Sequence, residues 1–398
     1  MRPVAPALAE ALAPFVGGDL PVRLEAWDGS AAGPVDAPVV ALRSPDAVRR
    51  LLWHPGELGA AQAYVTGELD VPGDLDQALT HAFAVARERG LPRRRPSLTA
   101  VARAVRTAGG IGALGRPPRT PPSQVRAAKD HYNLSNEFYE LILDPSMAYS
   151  CGYYSSLEMS LEEAQHAKLD LVCTKLGLQP GMRMLDVGCG WGSLSLHAAE
   201  HFGVTVTGVT IASEQKAFID KRIADRGLTD RVEIRVQDYR EIPETGFDAV
   251  GSLEMGEHVG RRHYATYAGV LHRAVRPGGR VLVQQMSRQG RNGGRHPGGG
   301  PFIEAFIAPH MHMRPLGETV AYLEAGGLEV RDVQALREHY VDTVAGWLEN
   351  FDAHLDRLTA LMGEEVVRAW RLYLVGGSMA FRDGRMGVDQ ILMERPVA

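Results

Sequence analysis

Cysteine is scarce: Cys151, Cys173 and Cys189 are the three in 398 residues. None stands at a paired metal-ligand spacing, so a disulfide framework is excluded and a reducing compartment is expected. An excess of basic charge is equally lacking. With 43 Lys and Arg against 48 Asp and Glu, and a formal net charge of -5, the chain as a whole is not drawn to nucleic acid, and no such partner is expected. No apolar run approaches the roughly 18 residues that would suggest a membrane span. The opening "MRPVAPALAEALAPFVGGDL" is broken by prolines and acids and is too weak for a secretory signal. These absences predict a cytoplasmic protein whose membrane contact, if any, is peripheral, at the inner face.

The length predicts two domains, since a single domain takes about 100–200 residues. The stretch "GRPPRTPPSQ", Gly115–Gln124, carries four prolines and cannot continue a helix or a central strand, which places a linker at 115–125. Before it, over 1–114, "PVRLEAWDGS" and "APVVALRSP" read as short strands and "SPDAVRRLLWHPGELGAAQAYVTGELD" as helices, a small mixed domain. Arginines at 87, 89, 93, 94, 95, 103 and 106 form either a solvated helix end or a contact for an anionic surface.

The pattern then changes to alternation. "RMLDVG", "VTVTGVT", "VEIRVQD", "FDAVGSLEM" and "RVLVQQM" read as buried strands separated by helical segments. That alternation predicts an α/β domain over 126–398 with a doubly wound, mostly parallel sheet. Such sheets bind ligands at the carboxyl ends of their strands. The first strand ends in "LDVGCGWGSL", where Asp186 leads a turn through Gly188, Gly190 and Gly192. Glycines let the backbone take positive φ and let a ligand come close. The G-x-G-x-G spacing differs from the dinucleotide G-x-G-x-x-G. In this context it resembles the first motif of class I, Rossmann-like, S-adenosylmethionine-dependent methyltransferases, and the resemblance implies that cofactor. After the second strand, where such enzymes commonly place an acid for the ribose, Thr210 and Gln215 stand instead. Asp238 and Tyr239 follow the third, the position that commonly contacts adenine.

Further segments narrow the resemblance. "KDHYNLSNEFYELILDPSMAYSCGYY", "GVTIASEQ", "EMGEHVGRRHYATY" and "HYVDTVAGWLENF" resemble the cyclopropane-fatty-acyl-phospholipid synthase and mycolic acid methyltransferase family. More loosely, "AYVTGELDVPGDL" is similar to its accessory N-terminal region, which makes 1–114 a lipid-engaging domain. The resemblance implies methyl transfer to an olefinic carbon of an unsaturated phospholipid acyl chain. It would put Tyr132, Tyr149 and Ser150 near the methionine and sulfonium, Gly188 and Gly190 against the cofactor, and Gln215, Asp238 and Tyr239 around ribose and adenine.

The adjacent pair Glu257-His258 reads by itself as a metal site, an acid/base pair or a solvated loop. In cyclopropane-forming relatives a bicarbonate held by cysteine, glutamate, histidine and tyrosine takes the ring-closing proton. Cys151, Glu257 and Tyr340 fall on three of those positions, with His258 either contributing or packing. At the fourth, "VLVQQMSRQG" places Gln284, which cannot become cationic and holds an anion less strongly. Without that base, the cation left by methyl transfer can shift a hydride and lose a proton to give an exocyclic methylene. A separate reductase partner would convert it to a methyl branch. A cyclopropane synthase using bicarbonate and a small-molecule methyltransferase are the rival readings, and the family implies a homo-oligomer. In "FIAPHMHMRPLG", His310 and His312 lack a third clustered ligand, so a lining for the acyl tunnel is expected and no metal.

Overall fold

In the computed structural model, residues 3–14, 16–90, 119, 121, 135–156, 158–290, 296–309 and 311–397 are described. The chain forms two compact units. One comprises Met1–Lys129 with Gly300–Ile307 and Thr359–Met379; the other comprises Asp130–Gly299, Ala308–Leu358 and Ala380–Ala398. The partition expected at the proline stretch is thus interrupted, because two later segments return to the N-terminal unit. Of the expected linker, Arg119 and Pro121 are described; Tyr132, His310 and the arginines from 93 to 106 lie outside the described residues.

The smaller unit contains α1 (Val4–Leu12), β1 (Arg23–Glu25), β2 (Ala31–Ala32), β3 (Val39–Leu42), α2 (Pro45–Trp53), α3 (Glu57–Val65), β4 (Leu69–Asp70) and α4 (Leu75–Glu88). Its strands form a sheet of order β2-β1-β3-β4. Pro45 opens α2 while the Ser44 hydroxyl accepts from Asp46 N at 3.1 Å, the usual chemistry of a helix start. Leu8, Leu24, Leu42 and Ala63 share its core. Arg368, from a returning segment, explains why that segment belongs here. Its guanidinium donates to Tyr64 O at 2.6 Å, to Leu69 O and to Asp70 Oδ1 at 3.0 Å, and covers the Tyr64 ring. Arg89, one of the clustered arginines, donates to Val16 O and Asp19 O and so closes a loop.

The larger unit begins with α5 (Asn136–Glu140) and α6 (Leu161–Leu176). There follow β5 (Arg183–Val187), α7 (Ser193–Phe202), β6 (Thr205–Thr210), α8 (Ser213–Asp225), β7 (Val232–Val236), β8 (Phe247–Leu253), α9 (Tyr264–Ala274) and β9 (Val275–Arg288). After α10 (Pro301–Phe306), which belongs to the smaller unit, come α11 (Leu316–Ala325), β10 (Glu329–Ala335), α12 (Arg337–Ala353), α13 (Leu355–Met362) and α14 (Glu364–Arg382), whose stretch Thr359–Met379 also belongs to the smaller unit, and β11 (Met386–Glu394). Among the described residues the sheet has seven strands in the order β10-β11-β9-β8-β5-β6-β7. β5 to β9 pair in parallel, and β11 runs antiparallel to both of its neighbours. This is the expected doubly wound, class I arrangement; β10 and β11 extend it beyond the five strands read from the sequence.

Alternation along the strands divides the core between the two faces. Met184 and Leu282 pack with Leu169, Leu196 and Ile219 on one side, while Leu185, Val281 and Val283 pack with Tyr267, Leu271 and Leu323 on the other. β5 pairs with β6 on one side and β8 on the other. The chain therefore leaves its carboxyl end at the topological switch point, where this fold binds ligands. No helix among the described residues is long and apolar enough to cross a membrane.

A capping box starts α6: Ser160 Oγ accepts from Glu163 N at 3.2 Å, and Glu163 Oε2 accepts from Ser160 N at 2.8 Å. Ser160→Ala should cost about 1 kcal/mol, read as a lower urea midpoint for the larger unit.

Candidate active site

At the carboxyl end of β5 the backbone coils through three glycines with φ of 80°, 54° and 82° at Gly188, Gly190 and Gly192. Gly188 N and Cys189 N both donate to Val209 O at 3.0 Å, pinning the turn to β6. A Cβ on Gly188 would lie 2.7 Å from Met255 Cγ, whereas one on Gly190 would meet nothing within 4 Å. Gly188 is therefore small for packing, whereas at Gly190 the positive φ is what favours glycine. Asp186, buried beneath the turn, accepts from Ser195 Oγ at 2.7 Å, and burial pushes its carboxyl up to about 6. It braces the loop.

The neighbouring strand ends supply the remaining predicted contacts. Thr210 Oγ1 donates to Gln215 Oε1 at 2.8 Å, which fixes the Gln215 amide and leaves its NH2 group to donate. Asp238 accepts from Arg240 N and from the Arg240 guanidinium, which hold its carboxyl below the usual range. Tyr239 packs edge-on against Tyr267. Tyr149 keeps some exposure and packs between Tyr139 and Trp347, with centroids 5.5 and 5.2 Å away. Ser150 turns inward: its hydroxyl accepts from the wholly buried Lys168 ammonium at 2.7 Å.

The decisive grouping lies at the carboxyl end of β8. Cys151 N donates to Glu254 Oε1 at 2.8 Å, Gln284 Nε2 donates to the same oxygen at 2.9 Å, and Tyr340 Oη donates to Glu254 Oε2 at 2.5 Å. Three residues singled out in the sequence thus converge on a fourth that was not. Strand register brings Gln284 there, because Leu253 pairs with Gln284 across β8 and β9. On its other side Gln390 of β11, paired with Gln284, donates to Gln284 Oε1 at 2.9 Å. The Gln284 carbonyl is thereby occupied and its NH2 faces the carboxylate. Phe381 stacks on the Tyr340 ring at 4.3 Å. The Cys151 thiol is fully buried and pushed well above its ordinary range by burial, so what this residue offers is its backbone N–H.

Glu257 occupies a different environment. It is 0% exposed, its Oε1 accepts from Met286 N at 3.0 Å, and its Oε2 has no partner among the described residues. Burial, then repulsion from Glu254, pushes its carboxyl up to about 8. Its neighbour His258 lies exposed on the same short turn. The turn thus buries the first of the pair and leaves the second at the surface. Gln285 faces away, bonded to Tyr264 Oη and Thr319 Oγ1. Lys168, Gln165 and Gln390 also went unnoticed in the sequence, because each lies in a run that reads as ordinary helix or strand.

Met313 is fully buried, and His312 N donates to Glu257 O at 2.8 Å, which ties that segment to the site. Among the described residues one group has the side chains to hold a metal ion: His166, His197 and His201, whose ligand atoms lie within 4.8 Å of one another. It shares no residue with the site, and His197 is already bonded to Asp170 at 2.8 Å.

Residues 120–391 match the family model described as mycolic acid cyclopropane synthetase. The chain is 37% identical to a "Probable fatty acid methyltransferase" of Pseudomonas putida, over 95% of this chain and 93% of that one. It is 31% identical to the cyclopropane-fatty-acyl-phospholipid synthase of Escherichia coli K12, over 90% and 88%. Among solved structures, a mycolic acid cyclopropane synthase complexed with SAH and CTAB superposes with a TM-score of 0.63 at 32% identity, covering 69% of this chain and 98% of that one.

A carboxyl whose folded pKa is raised binds a proton that the unfolded chain has released. Its stabilising contribution is therefore complete below the ordinary glutamate value of 4.5 and is lost as pH rises through about 8. Glu254 is shifted in the same direction. Stability should fall across this window with a slope of up to about 1.4 kcal/mol per pH unit for each such group. Glu257→Gln should flatten the decline, measured as urea midpoints at several pH values.

Proposed function

The chain belongs to the mycolic acid cyclopropane synthetase family; from that premise we propose that it methylates an olefinic carbon of an unsaturated phospholipid acyl chain, using S-adenosylmethionine and leaving a methylene branch. The observation that carries this reading is the reach of the similarity. The fatty acid methyltransferase aligns over 95% of the chain, N-terminal region included, whereas the mycolic acid cyclopropane synthase covers 69%. The N-terminal unit therefore accompanies a fatty-acyl substrate, and we assign it to engaging phospholipid at a membrane surface.

The residues present fit the cofactor. Gly190, at φ 54° and with open space where a Cβ would stand, lies in the turn at the switch point, and the Gln215 amide ends the neighbouring strand region with its NH2 group free of Thr210. When bound there, S-adenosylmethionine supplies an electrophilic methyl group on a sulfonium. Tyr149 and its aromatic neighbours present faces that stabilise positive charge. Methyl addition leaves a carbocation on the acyl chain, and water near it would be a competing nucleophile, so the surroundings must be dry. Tyr340, Trp347 and Phe381 form an apolar wall beside the Glu254 carboxylate.

Gln284 is neutral and already committed to a side-chain carboxylate, which favours the methylene over a ring closed by bound bicarbonate. A reductase partner would complete the methyl branch, and a homo-oligomer at the inner membrane face fits the same reading.

The test is product analysis with purified enzyme, S-adenosylmethionine and vesicles of monounsaturated phospholipid. Proton NMR of the released acyl chains should show vinylidene protons that disappear on mild hydrogenation; cyclopropyl protons would mean ring closure, and methylation only of soluble acceptors would refute the lipid reading. Gly190→Val should weaken S-adenosylmethionine binding about tenfold or more, equivalent to about 1.4 kcal/mol, by calorimetry on a variant that remains folded.

A further inference from the structure

Four carboxyl groups stand in the interior around β5 and β8. Asp144 accepts from Ser146 N and Ala148 N and is 2% exposed. Asp186 is committed to Ser195 and is also 2% exposed, and Glu257 is wholly sealed. Glu254 alone among these four keeps accessible surface. It is thus the least enclosed of the four residues.

Its backbone takes a conformation that side-chain-bearing residues rarely adopt. Glu254 sits at φ 51°, one of two non-glycine residues among those described with positive φ. Such strain persists where the surroundings over-determine it and concentrates at functional positions. Here the surroundings are its donors. Oε1 accepts two hydrogen bonds, from Cys151 N and Gln284 Nε2, and Oε2 accepts one, from Tyr340 Oη. A carboxylate oxygen offers two lone-pair directions, so Oε1 is saturated and Oε2 retains one. Burial raises the carboxyl's affinity for a proton while the three donors and the nearby Lys168 ammonium oppose that rise.

We propose that Glu254 is the catalytic base, a proton acceptor built into the chain, acting through Oε2 on the carbocation left by methyl transfer. This rests on the lipid reading above. A 1,2-hydride shift first moves the positive charge to the carbon that carries the new methyl group; a C–H bond of that methyl then breaks, its electron pair becomes the second bond of the exocyclic C=CH2, and the proton passes to Oε2. The proton returns to water when the product leaves. Gln284 is a positioning residue, set by Gln390. Cys151 and Tyr340 are two of the residues the family resemblance assigns to a bound bicarbonate, and Gln284 stands where that set has its histidine, so a side chain holds the place of the free anion.

Glu254→Gln and Glu254→Gly would be compared with the wild type for S-adenosylmethionine binding, thermal stability and methylated-lipid yield in bicarbonate-depleted buffer. Wild type should turn over without bicarbonate. Glu254→Gln should bind the cofactor normally and lose about a hundredfold or more in turnover, the range for a general base. Glu254→Gly, which relieves the positive φ, should fold well, lose turnover similarly, and recover about tenfold or more with added formate, a part of that base term. Turnover in folded Glu254→Gln near the wild-type rate would overturn the proposal. So would a folded, cofactor-binding Glu254→Gly enzyme that formate leaves inactive. A wild type that methylates no lipid would overturn the substrate reading and this one with it; failure in the variants alone would leave the substrate reading standing.

Discussion

The Lys168 ammonium, wholly buried on α6 and donating to Ser150 Oγ at 2.7 Å, is the interaction on which this site depends. A charge taken out of water must be compensated, because leaving it unpaired costs several kcal/mol. Burial lowers its proton affinity; Glu254, Asp144 and Asp186 raise it. Lys168 thus sits between the carboxylate beneath the glycine turn and the carboxylate at the end of β8. One turn earlier, Gln165 donates to Ala148 O and Ser150 O. The two residues clamp the segment 148–151 onto α6, and that segment carries Cys151 N to Glu254.

Neutral groups do the remaining alignment. Cys151 contributes a backbone amide, Gln284 a side-chain amide and Tyr340 a phenol. None brings a formal charge beside a site that must accommodate a cation. An imidazolium in place of Gln284 would oppose that cation, and the β9–β11 pairing instead sets an amide whose orientation comes from Gln390.

The fold was largely legible because its signals are local. Each of β5 to β9 contains a short buried run, and the helices between them have apolar faces; both survive in one dimension. β10 and β11 were not seen, since β10 is a partly exposed edge strand and β11 follows a long helical run directly. In the site, Cys151, Gln284 and Tyr340 were legible through motif, but the carboxylate they serve was not. Glu254 and Glu257 stand three residues apart in one polar stretch, and only the positive φ at Glu254 decides which side chain joins Tyr340. The available signal was position: Glu254 directly follows a buried strand at the switch point. The return of Thr359–Met379 to the smaller unit depends on contacts such as Arg368 to Tyr64 O, separated by 304 positions; no local pattern encodes that.

The same return governs how the molecule must be made. The smaller unit includes residues up to Met379, so its last piece leaves the ribosome only after nearly all of the larger unit has been synthesised. Vectorial folding, first domain first, is therefore closed to this chain. Its N-terminal region waits, incomplete, while the sheet from β5 to β9 forms, and the same late stretch of chain then supplies Arg368 to the first unit and β11, with Gln390, to the second. Completion of the smaller unit and orientation of Gln284 therefore wait for the same late stretch of chain.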